Sequence, residues 1–189
     1  PLAIRWPEGI TSPGRVYDGL VNLSDVAPTF LQAAGLTAPK MMTANSLMNI
    51  FASDTAEKRS SAFTAMERHD GCRKGGKGYP CRAIRTGDFL YIRNFEPDRW
   101  PAGDPDRRVC ARDLPFGEVD SSPTKQLLMD NADKEGFRRF HELAFGKRPA
   151  EELYDVINDP GQLVNLADDP KHQAVKNRQA KSLQDHLVA

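Results

Sequence analysis

Residues 81–95 read CRAIRTGDFLYIRNF. Two runs suited to strands flank Gly87-Asp88. In the second run Phe89, Tyr91, Arg93 and Phe95 alternate with Leu90, Ile92 and Asn94, as a strand of period two requires. Two such runs joined by a Gly-Asp pair predict an antiparallel hairpin. A lone hairpin is only marginally stable in water, so more strands or a helix must cover it.

Both flanks supply candidates. Upstream, residues 61–66 (SAFTAM) read as a strand that delivers four polar side chains, Glu67, Arg68, His69 and Asp70. A basic, glycine-rich loop follows at 71–78, with Arg73, Lys74 and Lys77. Downstream, residues 96–124 hold five prolines and many charges. That stretch reads as a long irregular surface segment. A helix is expected over 133–144 and a short strand over 152–156. A turn follows at Asn158-Asp159-Pro160, and an amphipathic helix over 170–187, with Pro170 suited to its first turn.

The beginning of the chain reads differently. Residues 2–6 predict a buried strand, stopped by Pro7 and Gly9. Ser24 is a natural N-cap, with Asp25 at the first helical position. Val26, Ala27, Phe30, Leu31 and Ala34 follow at helical spacing, and Gly35 is placed to end that helix. A short helix is expected over 46–52. The reading is therefore two unequal parts. Residues 1–60 give a strand and a helix of α/β type. Residues 61–189 give a small antiparallel sheet, hairpin 81–95 included, flanked by helices. One strand and one helix make no α/β core, and the chain opens on Pro1 without a methionine. The opening is thus read as a cut end whose apolar face belongs against a missing N-terminal portion.

Bulk composition narrows the classes. The chain has 189 residues, 28% charged and 39% hydrophobic, a globular balance. Lys plus Arg and Asp plus Glu both number 26, so net charge offers no ground for a nucleic-acid or membrane partner. No apolar run is long enough for a transmembrane helix. The three cysteines, Cys72, Cys81 and Cys110, contain no C-x-x-C pair and give no structural zinc pattern. Cys72 and Cys81 bracket the glycine-rich loop, and either a small disulfide or free thiols fit that spacing.

Four stretches in order resemble the sulfatase family, within the alkaline-phosphatase-like fold. They are PLAIRWP (1–7), LVNLSDVAPTFLQAAGL (20–36), CRAIRTGDFLYIRNF (81–95) and EELYDVINDPGQLVNLADDP (151–170). The stretch from Phe63 to Arg82 with the hairpin is most similar to heparan N-sulfatase (sulfamidase) and its bacterial relatives. The insertion 71–78 departs from the mammalian pattern. The resemblance implies the C-terminal part of an α/β sulfatase fold: the last strand and helix of the large domain, plus a small antiparallel-sheet subdomain. It also implies hydrolysis of sulfate esters or sulfamates on a sulfated sugar, by a formylglycine nucleophile with a calcium ion. Family members usually act in the periplasm, outside the cell or in the lysosome.

None of the three cysteines lies in the Cys/Ser-x-Pro-x-Arg maturation pattern, and the family's acidic metal motifs are absent from the sequence. No catalytic or metal-binding residue is assigned, and the chain alone is expected to release no sulfate. The segment is expected to pack on the sulfatase core and help shape the substrate pocket. Its candidate substrate-binding residues are Glu67, Arg68, His69, Asp70 and Arg82. Arg68 suits a forked bond to sulfate or carboxylate. His69 suits a sulfate oxygen or sugar hydroxyl, and Glu67 and Asp70 accept from hydroxyls. Arg82 either reaches the same pocket or bridges carboxylates. Arg73, Lys74 and Lys77 suit a polyanionic chain, or form an ordinary basic loop. His141, His172 and His186 read as exposed or capping, Trp100 as a buried anchor of its loop, and Leu153 and Tyr154 as core. Two other readings stand beside this one: a non-catalytic module that binds anionic glycans, and a phosphatase or phosphodiesterase relative of the same fold.

Overall fold

A computed structural model describes residues 2–68, 71–110 and 113–188. The chain divides into two compact units, residues 1–62 and 63–189.

In the first unit, helix α1 spans Val26–Ala33 and α2 spans Met48–Ala52. The start of α1 is capped two residues earlier than Ser24. The Asn22 side chain accepts from the Ser24 amide, and the Asp25 carboxylate returns to the Asn22 amide at 2.8 Å. This reciprocal capping box opens a 3-10 turn over Leu23–Asp25, so the exposed Ser24 side chain is left outside the cap. Asp25 is almost wholly buried, and its carboxylate also pairs with Arg59 at 2.9 Å. One turn on, the Thr29 hydroxyl donates to the Asp25 carbonyl at 2.6 Å and accepts from the Leu47 amide at 2.8 Å. The buried side of α1 is thus this polar network with Pro28, and Phe30, expected on the apolar face, is 65% exposed.

Gly35 ends α1 as expected. It takes a left-handed φ of +75°, which lets the Leu36 amide reach back to the Leu31 carbonyl. Residues 2–6 form no strand. A strand exists only through a neighbour's ladder, and here the Trp6 carbonyl instead takes the amides of Gly9 and Ile10 in a tight turn. The Trp6 ring meets Phe51 edge-on at 6.3 Å.

The second unit is built on a four-stranded sheet in the order β1-β2-β3-β4. Strand β1 (Ser61–Met66) begins at the end of the first unit. Strands β2 (Cys81–Thr86) and β3 (Phe89–Asn94) form the expected hairpin around Gly87-Asp88, and β4 (Glu151–Asp155) pairs antiparallel with β3. The registers align side chains in rows across β2, β3 and β4. Ile84, Tyr91 and Leu153 make one row, and Arg82, Arg93 and Glu151 the next.

Helix α5 (Gln173–Val188) covers the first row, placing Leu183 on it to close the core. A 3-10 turn at Pro170–His172 precedes α5, capped by Asp169. The described residues between 96 and 122 are irregular as expected, apart from a 3-10 turn at Arg107–Val109, and Ser122 then caps helix α3 (Pro123–Asp130), which the sequence reading did not anticipate, at its proline start. Helix α4 (Glu135–Phe145) follows. A second core joins Ala102, Phe116 and Phe145, with the two rings stacked at 4.6 Å. No helix among the described residues is long and apolar enough to cross a membrane.

Candidate functional site

The expected binding residues lie where β1 runs out toward the glycine-rich loop. Glu67 and Arg68 are exposed there, and His69 and Asp70 lie outside the described residues. Three contacts fix this corner. The Tyr79 amide donates to the Glu67 carbonyl at 2.8 Å, and Arg68 Nη1 donates to the Gly76 carbonyl at 3.0 Å. Gly78 sits so close that a Cβ there would lie 2.6 Å from the Glu67 carbonyl oxygen, so only glycine fits the approach.

Arg82 turns toward the same corner. It donates to the carbonyls of Met66 (3.1 Å) and Cys81 (2.9 Å), and its second terminal nitrogen pairs with Glu67 at 2.9 Å. Its fork thus ties the end of β1 to β2. Glu67, Arg68 and Arg82 come together. In this arrangement Arg82 positions the corner and Arg68 braces the loop.

Arg73, grouped in the sequence with the loop lysines, is not available to a ligand. It is 3% exposed and spends its guanidinium on three internal acceptors: the Trp100 carbonyl (2.7 Å), the Pro101 carbonyl (2.7 Å) and the Glu118 carboxylate (2.8 Å). A planar fork between two carbonyls and a carboxylate is a use that a surface charge cannot serve. The neighbouring Lys74 amide donates to Asp104 at 2.7 Å. The loop is therefore anchored at both ends and carries Lys74 and Lys77 exposed on its outer side.

All three cysteines are free thiols. Burial pushes Cys72 up to about 11, and burial likewise raises Cys81 and Cys110. Thiols held protonated are poor nucleophiles. Among the described residues no group of three or more His, Cys, Asp or Glu side chains could hold a metal ion. The calcium implied by the resemblance has no donor set among them.

The three histidines among the described residues are used structurally. His141 lies edge-on to Phe116 and Phe145, His172 Nδ1 meets Asp169 at 2.9 Å, and His186 stacks on Phe63 at 3.7 Å. Trp100 packs on Phe116, with the Lys147 ammonium 5.2 Å from its ring.

A wider cleft of about 580 Å³ lies beside β4, lined by Arg148, Glu152, Tyr154 and Asn165 among others. The Arg148, Glu152, Tyr154 and Asn165 side chains are already engaged. Glu152 accepts from Asn94 at 2.7 Å and from the Tyr154 hydroxyl at 2.5 Å, and Asn165 accepts from the Leu153 and Ala167 amides. Closed networks of this kind hold β4 to its flanking turn.

The Arg93–Glu151 row was missed in the sequence. The alternation of β3 puts Arg93 on the Tyr91 face, but only the β3–β4 register brings Glu151 beside it. Glu151 accepts from the Tyr91 hydroxyl at 2.6 Å and lies 3.4 Å from the Lys176 ammonium. These partners, the Tyr91 hydroxyl first, hold its carboxyl below the ordinary range. The stability this gives is present above the unfolded-state pKa of about 4.3 and is lost as pH falls through the lower folded value. In Tyr91→Phe, Glu151 is expected to titrate closer to an ordinary carboxylate, and stability to fall less steeply with acid. An NMR titration of the Glu151 carboxyl, with denaturant melts from pH 6 to 3, checks both.

Residues 1–105 match the family model described as N-sulphoglucosamine sulphohydrolase, C-terminal. Two curated relatives are similar over nearly the whole chain, both named ulvan-active sulfatase, from Formosa agariphila. One is 25% identical over 183 residues, which is 97% of this chain. The other is 27% identical over 197 aligned positions, which cover 100% of it. The chain spans only 32% and 28% of those relatives' lengths. Among solved structures, a candidate sulfatase from Bacteroides fragilis aligns over 96% of the chain and 28% of its own, with TM-score 0.54 and 15% identity. Another from Bacteroides thetaiotaomicron aligns over 87% of the chain and 24% of its own, with TM-score 0.50 and 18% identity. At such identities these likenesses speak to fold.

Proposed function

The chain belongs to the N-sulphoglucosamine sulphohydrolase C-terminal family, and from that premise we propose that it serves a sulfatase acting on a sulfated polysaccharide, by holding the polyanion at the corner between β1 and the glycine-rich loop. No nucleophile or metal ligand belongs to this role. What this chain contributes is grip on substrate.

The observation that supports this best is the bracing of the loop. Arg68, Arg73 and the Lys74 amide each fix its backbone, while the Lys74 and Lys77 side chains stay exposed. A rigid backbone presenting two ammonium groups loses little entropy on binding, the condition for recognising a repeating anion rather than merely attracting it. The similarity to two ulvan-active sulfatases favours a sulfated, ulvan-like ligand over a phosphate ester.

The test compares binding of the protein to ulvan and to chemically desulfated ulvan at low salt. Tighter binding to the sulfated form is expected, with a log–log salt slope that falls in the Lys74→Ala/Lys77→Ala double variant. Equal affinity for both polymers, or a double variant that binds like the parent, would overturn the reading.

A further inference from the structure

A second cleft, of about 270 Å³, lies between β3 and the C-terminal end of α5. Its lining includes Arg93, Phe95, Glu151, Gln184 and Leu187. Its position follows from the rows of the sheet. Helix α5 closes over Ile84, Tyr91 and Leu153, and the row Arg82, Arg93 and Glu151 falls just beyond that closed core.

Two features of this row are unfavourable as they stand. Arg82 and Arg93 are direct cross-strand partners, and like charges so placed repel. Their guanidinium carbons both lie 6.0 Å from the centre of the Phe95 ring, which is itself 48% exposed. Available counter-charge is unequal. Arg82 holds Glu67 at 2.9 Å, whereas the Arg93 contact to Glu151 is long, at 3.8 Å. Glu151 is moreover shared with Tyr91 and Lys176. Excess positive charge thus collects at one end of a small cleft, next to an exposed aromatic ring and an apolar wall.

We infer that this cleft is a subsite for one sugar ring bearing an anionic group. The anion, sulfate or carboxylate, lies against Arg93 with Arg82 behind it. The ring rests on Phe95 and Leu187, and Gln184 and Glu151 meet its hydroxyls. The volume suits a monosaccharide and lies just under the usual range for ligand pockets, which begins near ~300 Å³. Guanidinium suits the anion because its planar fork matches two oxygens at once. A bound anion would also relieve the cross-strand repulsion. The inference rests on the reading of the substrate as a sulfated sugar, and it places a second contact away from the loop lysines.

The experiment is an NMR titration of the protein with glucose 6-sulfate, glucose and inorganic sulfate at low ionic strength. Glucose 6-sulfate is expected to shift the amides of 91–95, 151 and 183–187, and to bind at least tenfold more tightly than either other probe. Arg93→Ala is expected to lose tenfold or more. Phe95→Ala should weaken the sugar sulfate and leave inorganic sulfate unchanged. Leu187→Glu, a change at an exposed position, should repel the anion even if the arginine variant unfolds. Shifts centred on 71–78, equal affinity for inorganic sulfate and glucose 6-sulfate, or unchanged binding by folded Arg93→Ala or Leu187→Glu would each overturn the subsite. Loss of the polymer preference with this titration intact would remove the loop reading alone, and the reverse would remove the subsite alone.

Discussion

Arg73→Ala is expected to destabilise the second unit by about 3–5 kcal/mol, the usual cost of removing one partner from a buried ion pair. Glu118 would be left with its carboxylate only 9% exposed and without the guanidinium. The Trp100 and Pro101 carbonyls would lose their donors in the same step. Each loss alone is of order 1–3 kcal/mol where water cannot replace the bond. Arg73→Lys keeps the charge but offers a point where a fork is needed, so it should recover only part of the loss. Denaturant unfolding of the three proteins measures the order. Hydrogen exchange adds a local readout, because the Gly76 amide donates to the Arg73 carbonyl and should lose protection as the loop loosens. A loss under 1 kcal/mol for Arg73→Ala would show that this node does not hold the loop.

Leu153→Ala is expected to cost about 2–5 kcal/mol, the range for emptying a fully buried leucine site. Leu153 has no exposed surface and sits among Ile84, Tyr91, Ala167 and Leu183. The site has little room to collapse. The Leu153 amide is held by Asn165 at 2.8 Å, and its carbonyl accepts from the Leu166 amide at 2.8 Å, so the backbone stays while the cavity opens. Leu163→Ala is the control. It lies in the same closing segment but is 54% exposed, and should change stability by no more than about 0.5 kcal/mol. Equal effects from the two leucines would mean that α5 does not close over the sheet as described.

The two arginines Arg73 and Arg82 show how differently residues could be read from sequence. The sequence groups Arg73 with the loop lysines and leaves Arg82 as either a pocket residue or a bridge between carboxylates, and neither has a local pattern that reveals its use. Their partners are carbonyls and carboxylates up to 45 residues away, brought in only by the fold. The same limit applies to the Arg82–Arg93–Glu151 row, whose third member arrives through β4. Residues 2–6 illustrate the opposite error. Their apolar run resembles a strand, but backbone pairing is a property of two segments and cannot be read from one.

What the sequence determined by itself was whatever depends on near neighbours. The period-two alternation and the Gly-Asp turn specified the 81–95 hairpin, and Gly35 specified the end of α1, because strand pleat and left-handed φ act over a few residues. The family, too, was legible in four short stretches, and the match over 1–105 agrees with it. Only the tertiary structure decided which charges are spent inside and which stay at the surface. That choice depends on desolvation and on partners distant in sequence: it buried Arg73 against Glu118, left Lys74 and Lys77 exposed, and kept Arg93 partly exposed.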